Sequence, residues 1–243
     1  MPRERLDKML TGRGAGSRRA AAAKIRAGEV QVNGTVCRDP AQKVNPEADV
    51  VSLSGQPLRM RRERYLMMNK PAGVITATED AVQQTVLDLL PADVRRGLSP
   101  VGRLDKDTEG LLLLTDDGAL CHALTAPRRH VDKRYRVHIA GTLAADAAER
   151  FAAGLTLGDG TVCRPADLTI LGQTEDGLCA AEVVLREGKY HQVKRMVAAA
   201  GGRVVHLKRL SMGPLRLDAA LPAGGWRELT EQELALLRDA AQP

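Results

Sequence analysis

The sequence has few aromatic residues and few cysteines. Aromatic side chains make up only 2% of its 243 residues, so few rings are available to stack on a ligand. The five histidines show no H-x-x-x-H spacing, which leaves a helical metal site without support. The cysteines are scattered and form no C-x-x-C pair: Cys37, Cys121, Cys163 and Cys179. These absences argue against a disulfide framework and a thiolate zinc site, and we expect no bound metal.

Long apolar runs and nucleotide-binding glycine motifs are absent too. No stretch approaches the roughly 18–20 apolar residues of a membrane helix. Charged residues interrupt the first ten positions, which are therefore not typical of a secretory signal. Gly12, Gly14 and Gly16 do not complete a G-x-G-x-x-G motif, and no glycine loop ends in G-K-[ST]. We expect a cytoplasmic protein with no cofactor and no membrane partner.

Positive charge is concentrated at the start of the chain. The formal net charge is +6, but residues 1–62 carry 13 Lys and Arg against 6 Asp and Glu, and the remainder carries 23 against 24. Such an excess is typical of a solvated basic tail or of a basic module that binds a polyanion. A membrane-binding helix would place bulky apolar residues opposite its charges, whereas this segment carries mostly alanine. Nucleic acid is therefore the favoured partner.

The basic segment also has the pattern of a small folded domain. Apolar residues at helical spacing predict a first helix over residues 5–11. A second helix is predicted over residues 18–27, with Ser17 as its N-cap and Gly28 as its stop. A valine alternation then leads into Asn33-Gly34, which is typical of a type I′ hairpin turn. Two short helices followed by a hairpin unit therefore hold the positive charge together.

These elements resemble the S4 RNA-binding domain. The resemblance is carried by Arg5-Leu6-Asp7-Lys8, Gly16-Ser17-Arg18-Arg19, Ile25, Gly28 and Val30-Gln31-Val32-Asn33-Gly34, in the family's order. It implies that the second helix and its flanking loops face RNA, with contacts from Arg5, Lys8, Ser17, Arg18, Arg19, Lys24, Arg26 and Asn33. Arginine suits phosphate because its planar fork binds two oxygens, although such contacts position RNA rather than read its sequence.

A polar, basic stretch divides the chain. Residues 59–64 follow the turn-prone Ser54-Gly55 and show little apolar periodicity, so they predict a linker. We expect an RNA-binding domain over residues 1–58 and a second domain over residues 65–243.

The second domain alternates irregularly between strand-like and helix-like segments. Strands are predicted at Tyr65–Asn69, Leu111–Leu114, Lys133–Ile139, Leu168–Ile170, Ala180–Leu185 and Arg203–Leu207. Helices are predicted at Ala144–Ala153, Tyr190–Ala200 and Thr230–Leu237, the last beginning with a capping box. This order favours an α+β fold in which helices pack on a mixed, mainly antiparallel sheet.

One loop of this domain is unusually charged. Residues 102–110 place three carboxylates and two cations between two glycines, directly before the apolar run Leu111–Leu114. Such a loop is most often a solvated turn. A carboxylate beside a buried strand can also be desolvated and held by a nearby cation, which makes it useful in a dry pocket. Spacing alone leaves both interpretations open.

This domain contains four groups of motifs. They are Gly102-Arg103-Leu104-Asp105 with Asp107-Thr108 and the run Gly110-Leu111-Leu112-Leu113-Leu114-Thr115-Asp116-Asp117-Gly118, then Met68-Asn69-Lys70-Pro71-Ala72-Gly73, Lys133-Arg134-Tyr135, and Glu187-Gly188-Lys189-Tyr190-His191-Gln192-Val193-Lys194-Arg195-Met196. Together they resemble the motifs of rRNA pseudouridine synthases. An S4 domain ahead of such a catalytic domain is the layout of the RsuA-type branch. Tyr190-His191 is similar to the small-subunit, 16S rRNA enzymes, because the large-subunit enzymes usually carry an asparagine-arginine pair there.

The resemblance implies a role for each matching residue. Asp105 is the catalytic carboxylate, Tyr135 stacks on the uracil, and Lys194 is the basic partner of the aspartate, with Arg195 as the competing candidate. Leu207 matches an apolar wall, although a core position explains it equally well. Arg103 is expected to contact phosphate or hold the loop. Asp107 and Glu109 are expected to cap the loop or face solvent.

The activity implied is the isomerisation of one uridine of 16S rRNA to pseudouridine, by a monomer acting on a flipped-out base. Two alternatives remain open. The first is a 23S rRNA pseudouridine synthase of the same family. The second, from another class, is a non-catalytic RNA-binding factor for ribosome assembly, which would not need Asp105. The sequence does not favour a serine hydrolase, because Ser99 does not lie in a G-x-S-x-G motif.

Overall fold

A computed structural model describes residues 3–46, 48–58, 63–126 and 131–241. The chain forms two compact units, one that ends at residue 62 and one that begins at residue 63. Residues 59–62 of the predicted linker lie outside the described residues. Arg64, at the predicted end of that linker, is held by the Asp116 carboxylate, with Nε 3.2 Å from Oδ2, and by the carbonyl oxygens of Val94 and Arg96. In the described ranges, no helix combines the length and the apolar character that crossing a membrane requires.

The first unit contains two helices and short strands. Its elements are β1 (Glu4–Arg5), α1 (Leu6–Gly12), α2 (Arg18–Ala27), β2 (Val30–Val32), β3 (Thr35–Val36), β4 (Lys43–Val44), β5 (Val51–Leu53) and β6 (Gln56–Pro57). The strands β3, β2, β5 and β6 form an antiparallel sheet in that order, and β1 pairs with β4. The two predicted helices and the hairpin are confirmed.

Local chemistry explains these elements. The Ser17 hydroxyl accepts a hydrogen bond from the Ala20 amide, and Gly28 ends α2 in the left-handed conformation, as its lack of a Cβ allows. Asn33 and Gly34 both have positive φ, as a type I′ turn requires. The core is apolar, and α2 contributes Ala21 and Ile25 to it.

The second unit is larger. Its strands are β7 (Tyr65–Lys70), β8 (Ser99–Pro100), β9 (Glu109–Thr115), β10 (Lys133–Ala140), β11 (Asp167–Gln173), β12 (Cys179–Leu185), β13 (Arg203–Met212), β14 (Leu215–Arg216) and β15 (Trp226–Glu228). Its helices are α3 (Ala92–Arg95), α4 (Gly118–Thr125), α5 (Ala147–Ala153), α6 (Gln192–Ala199) and α7 (Glu231–Ala240), with a 3-10 helix at Val86–Leu89. The strand order of the sheet is β11-β12-β10-β13-β9-β7-β15. In addition, β8 pairs with β9 and β14 pairs with β13.

The sheet is mixed, as predicted, because β13 pairs with β9 in parallel whereas the other pairs are antiparallel. Alternate residues of a strand point to opposite faces, so the apolar run of β9 serves two cores. Leu112 and Leu114 belong to a core that α6 covers, whereas Leu111 and Leu113 belong to a core that includes Leu237 of α7. This explains why the run shows no apolar–polar alternation.

Two helices begin later than predicted. The helix expected from Ala144 begins at Ala147, because the Ala144 amide donates to the Ala200 carbonyl and Ala147 closes a turn onto Ala144. The helix expected from Tyr190 begins at Gln192, because His191 has φ of 48° and lies in the left-handed region. Apolar spacing alone does not reveal either turn.

Candidate active site

The loop between β8 and β9 carries Asp105 and is anchored to the core. Leu104 is buried, and its backbone forms two hydrogen bonds with the buried Thr76 hydroxyl: the hydroxyl donates to the Leu104 carbonyl at 2.7 Å and accepts from the Leu104 amide at 3.1 Å. The Thr108 amide donates to the Asp105 carbonyl at 3.1 Å and closes a turn. Asp105 therefore protrudes from a loop fixed on both sides, and its side chain is 27% exposed.

Lys70, at the end of β7, binds this loop through its backbone carbonyl groups. Its ammonium is fully buried and donates to the carbonyl oxygens of Pro71 at 2.9 Å, Thr108 at 2.9 Å and Lys106 at 3.3 Å. The Gly73 amide donates to the Lys106 carbonyl as well. Burial lowers the pKa of Lys70 to about 8, so the ammonium keeps its proton at pH 7 and can satisfy three acceptors. The Lys70-Pro71-Ala72-Gly73 motif thus positions the Asp105 loop.

Gly110 lets the loop enter the sheet. It pairs with Arg209 where β9 and β13 run parallel. A Cβ on Gly110 would lie 2.2 Å from the Arg209 carbonyl oxygen, and the residue has φ of 100°. Only glycine fits this close approach of the two backbones.

A lysine from α6 meets the carboxylates of the loop. Lys194 Nζ lies 3.2 Å from Asp105 Oδ2 and 2.5 Å from Asp107 Oδ1. Partial burial would lower the pKa of Lys194, but its hydrogen bonds to Asp107 and Asp105 outweigh this and raise the pKa above its ordinary value. The hydrogen bond from Lys194 also lowers the pKa of Asp107. One ammonium thus bridges two carboxylates.

The start of α6 brings Lys194 to this place. Gln192 is buried: its amide nitrogen donates to Glu187 Oε1 at 2.7 Å, and its oxygen accepts from the Lys189 amide at 2.9 Å. These bonds fix the turn before the helix. The apolar face of α6, with Val193 and Met196, packs into the core beside the sheet.

His191 joins the site from the same turn. Its Nε2 atom lies 3.7 Å from Asp105 Oδ1, and its ring stacks on Tyr190 with 3.8 Å between ring centroids and 18° between planes. The left-handed backbone of His191 is uncommon for a residue other than glycine. An uncommon backbone conformation of this kind is a feature that functional sites often show.

The other sequence-predicted residues of this unit lie as follows. Tyr135 and Leu207 are buried in the core that also contains Leu104 and Val193, the neighbours of Asp105 and Lys194. Arg103 is exposed and forms no ion pair within the described part of the chain.

Arg195 and the arginines beside Tyr135 have other partners. Arg195 pairs with Asp159 at 2.5 Å, so it is not the cation at Asp105. Arg134 and Arg136 lie on the sheet face opposite Tyr135, because alternate strand residues face opposite sides, and both bind Glu182.

The basic residues that the resemblance to the S4 domain predicts as RNA contacts fall into two groups. Arg5 and Arg18 bind the buried Asp7 carboxylate at 2.7 Å and 3.4 Å, chiefly through Arg5, and thereby hold its pKa well below its usual range. Four further cations form no ion pair within the described ranges and have exposed or half-buried side chains: Lys8, Arg19, Lys24 and Arg26. These four are free to bind an external anion.

Two polar residues predicted to contact RNA have structural partners. The Asn33 side chain accepts from the Val50 amide at 2.8 Å and donates to Asp49 at 2.9 Å, which fixes the hairpin. Ser17 is the N-cap of α2.

Three contacts of the site are not predicted by the sequence. Asp107, expected to cap the loop or face solvent, is 72% exposed but also binds Lys194. Glu109, expected to do the same, begins β9 and lies 3.2 Å from His206. His191 lies at Asp105 because of the left-handed turn before α6. In the described ranges, no three His, Cys, Asp or Glu side chains are grouped to hold a metal ion.

The chain is similar to known RNA pseudouridine synthases in sequence and in structure. Residues 64–199 match the family model described as RNA pseudouridylate synthase, and residues 4–50 match the S4 domain. The chain is 47% identical to an uncharacterized RNA pseudouridine synthase of Bacillus subtilis (strain 168), over 97% of this chain and 98% of that protein. It is 42% identical to ribosomal small subunit pseudouridine synthase A of Escherichia coli (strain K12), over 95% and 98%. A crystal structure of a pseudouridylate synthase matches with a TM-score of 0.67 and 34% identity, covering 96% of this chain and 99% of that one.

Proposed function

The chain belongs to the RNA pseudouridylate synthase family, and from that premise we propose that it converts one uridine of 16S rRNA to pseudouridine. Its first unit contains an S4 domain, so the two family resemblances in the sequence are confirmed. The proposal of a 16S target is supported by 42% identity to a small-subunit synthase over 95% of the chain.

The observation that carries the mechanism is the ion pair between Asp105 and Lys194. A half-buried carboxylate is anchored through Leu104 and Lys70, with an ammonium 3.2 Å away that offsets its charge when a base covers it. We assign Asp105 as the catalytic carboxylate and Lys194 as its positioning partner. Both residues come from one chain, so we propose that a monomer is sufficient.

The reaction is an isomerisation, so the product has the same atomic composition as the substrate. The N1–C1′ bond breaks, the uracil turns in the pocket, and a C5–C1′ bond forms. The proton on C5 is then lost, and N1 ends with a proton. The Asp105 carboxylate can serve this sequence as a nucleophile towards the nucleoside or as an anion that stabilises positive charge at C1′. In either case the step requires an ionised carboxylate held in a fixed place.

A uridine stacked in a helix cannot reach Asp105. The target base must leave its stack, at a cost of a few kcal/mol that is smallest for an unpaired base. We therefore propose that the substrate is a loop or a partly assembled region of rRNA in the cytoplasm. Tyr135 and Leu207 are proposed to line the uracil pocket, and Arg103 is proposed to contact a phosphate.

The free cations of the first unit predict the salt dependence of RNA binding. Replacing Lys8, Arg19, Lys24 and Arg26 together with glutamine is expected to weaken rRNA binding. If all four contact phosphate, the slope of log affinity against log salt concentration should fall by about 3–4, since each phosphate contact contributes roughly 0.7–0.9. Binding to a 16S rRNA transcript, measured between low and moderate salt, checks this. A charge-conserving variant that exchanges Lys and Arg at the same positions is the control, and an unchanged slope in the glutamine variant would remove these residues as RNA contacts.

Pseudouridine mapping tests the proposed function directly. The modification sites in 16S and 23S rRNA are compared between cells with and without this gene by carbodiimide labelling and primer extension. We expect one 16S site to disappear, and to return with the wild-type gene but not with Asp105→Asn. Loss of a 23S site instead would keep the chemistry and reject the 16S substrate. No change in either rRNA would contradict both.

A further inference from the structure

Tyr190 is an exception among the aromatic residues of this chain. The five aromatic residues all lie in the described ranges, and four of them are buried or half-buried. Tyr190 is 74% exposed. Exposure of a large ring forfeits the free energy that its burial would gain, so the position calls for an explanation beyond packing.

One face of the Tyr190 ring is already stacked. It lies on the His191 imidazole, with 3.8 Å between centroids and 18° between planes, and the His191 Nε2 atom lies 3.7 Å from Asp105 Oδ1. The two stacked rings therefore extend from the catalytic carboxylate towards the solvent, with His191 nearer Asp105 and Tyr190 outermost. The face of Tyr190 away from His191 remains open to a further flat group.

A cleft of about 490 Å³ adjoins this ring. Its lining is mostly apolar or small and comprises Leu157, Gly158, Asp159, Tyr190, Arg195, Ala198 and Ala199. This volume lies in the range of small-molecule sites, so a single base with its sugar can enter. Arg195 brings a guanidinium to the cleft, held by Asp159 and by the Tyr190 carbonyl oxygen at 3.3 Å. Because the Asp159 carboxylate already pairs with this guanidinium, the cleft matches the base of a nucleotide rather than its phosphate, with the Tyr190 ring as the stacking face.

We propose that Tyr190 stacks on an unpaired base adjacent to the target uridine, and that the cleft beside it is a subsite for this flanking nucleotide. The inference rests on the proposed function, because it places the flanking base next to a uridine held at Asp105. It adds a specificity-determining contact outside the uracil pocket, since an RNA without an extrudable neighbour cannot fill the cleft.

Kinetics on modified RNA tests the contact. Tyr190→Ala is expected to lower kcat/KM on a 16S rRNA transcript about 10- to 100-fold, as one lost base stack predicts, and Tyr190→Phe should recover most of the rate. Leu236→Ala, which truncates another exposed apolar side chain on α7, should leave the rate unchanged. An abasic nucleotide at one flanking position should slow the wild type by the same factor and should not slow Tyr190→Ala further. Additive losses at every flanking position, or a Tyr190→Ala rate within twofold of wild type, would overturn the proposal.

Fluorescence separates this inference from the proposed function. A Tyr190→Trp, Trp226→Phe protein carries its single tryptophan at position 190. Stacking of a base on this indole should quench its fluorescence when single-stranded 16S rRNA fragments bind. Quenching without turnover would support the stacking contact while rejecting the proposed reaction on that RNA. Binding detected by anisotropy with no quenching would reject the stacking contact whatever the activity.

Discussion

The Asp105→Asn protein is expected to lose at least about a thousandfold in turnover while its affinity for rRNA stays within about twofold. The asparagine keeps the shape of the side chain but not the charge, so it can neither attack the nucleoside nor stabilise positive charge at C1′. The loop itself should stay in place, because Thr76 and Lys70 hold it through backbone groups that the substitution leaves intact.

Tritium release measures this loss directly. Conversion removes the hydrogen on C5, so RNA made with uridine labelled at C5 releases tritium with each turnover, and a separate titration gives affinity. Asp107→Asn is the matched control, since Asp107 shares Lys194 but is 72% exposed, and its turnover should fall by less than about tenfold. Turnover of Asp105→Asn near that of wild type would remove Asp105 as the catalytic group. Equal losses of turnover in the two variants would mean that catalysis needs both carboxylates bound to Lys194, and not Asp105 alone.

The second large effect is expected on stability. Replacing Lys70 with methionine keeps most of the side-chain volume but removes the buried ammonium. The carbonyl oxygens of Pro71 and Thr108, and the more distant one of Lys106, then lose a donor inside the protein. An unsatisfied buried polar group costs about 1–3 kcal/mol, so a loss of about 3 kcal/mol or more is expected in the unfolding of the second unit. For a unit of this size the Tm should fall by roughly 6–12 °C.

Lys106→Met is the control for Lys70→Met. The Lys106 side chain is exposed, and among the described residues its ammonium binds only the Gln83 side chain, at 3.0 Å. Its loss should therefore change the free energy of unfolding by no more than about 0.5 kcal/mol. Thermal unfolding followed by circular dichroism compares the two. If both variants unfolded at the wild-type temperature, Lys70 would not support the loop. At temperatures below its Tm, the Lys70→Met protein should also convert uridine more slowly than wild type, because the Asp105 loop loses its hydrogen bonds to Lys70.

Local signals in the sequence predicted part of the elements of each unit, whereas α3, α4, β8, β14 and β15 were not predicted. Ser17 and Gly28 marked the ends of α2, Asn33-Gly34 marked the hairpin, and the capping box at Thr230 marked the start of α7. These signals act within a few residues, so one sequence is enough to recognise them. The predicted start of α6 was wrong, because the hydrogen bonds of Gln192 to Glu187 and Lys189 impose a turn that apolar spacing does not record.

The sequence alone was enough to predict the fold class, the family and the loop that carries the candidate carboxylate. Which cation reaches that loop depends on tertiary packing, which brings Lys194 there. Neighbouring residues of a helix point about 100° apart, so once the apolar face of α6 packs on the sheet, Lys194 faces Asp105 and Arg195 faces Asp159. The contact of His191 with Asp105 was decided in the same way. The contacts of Lys194 and His191 with Asp105 join residues more than eighty positions apart, so they form only after the sheet and helix have packed.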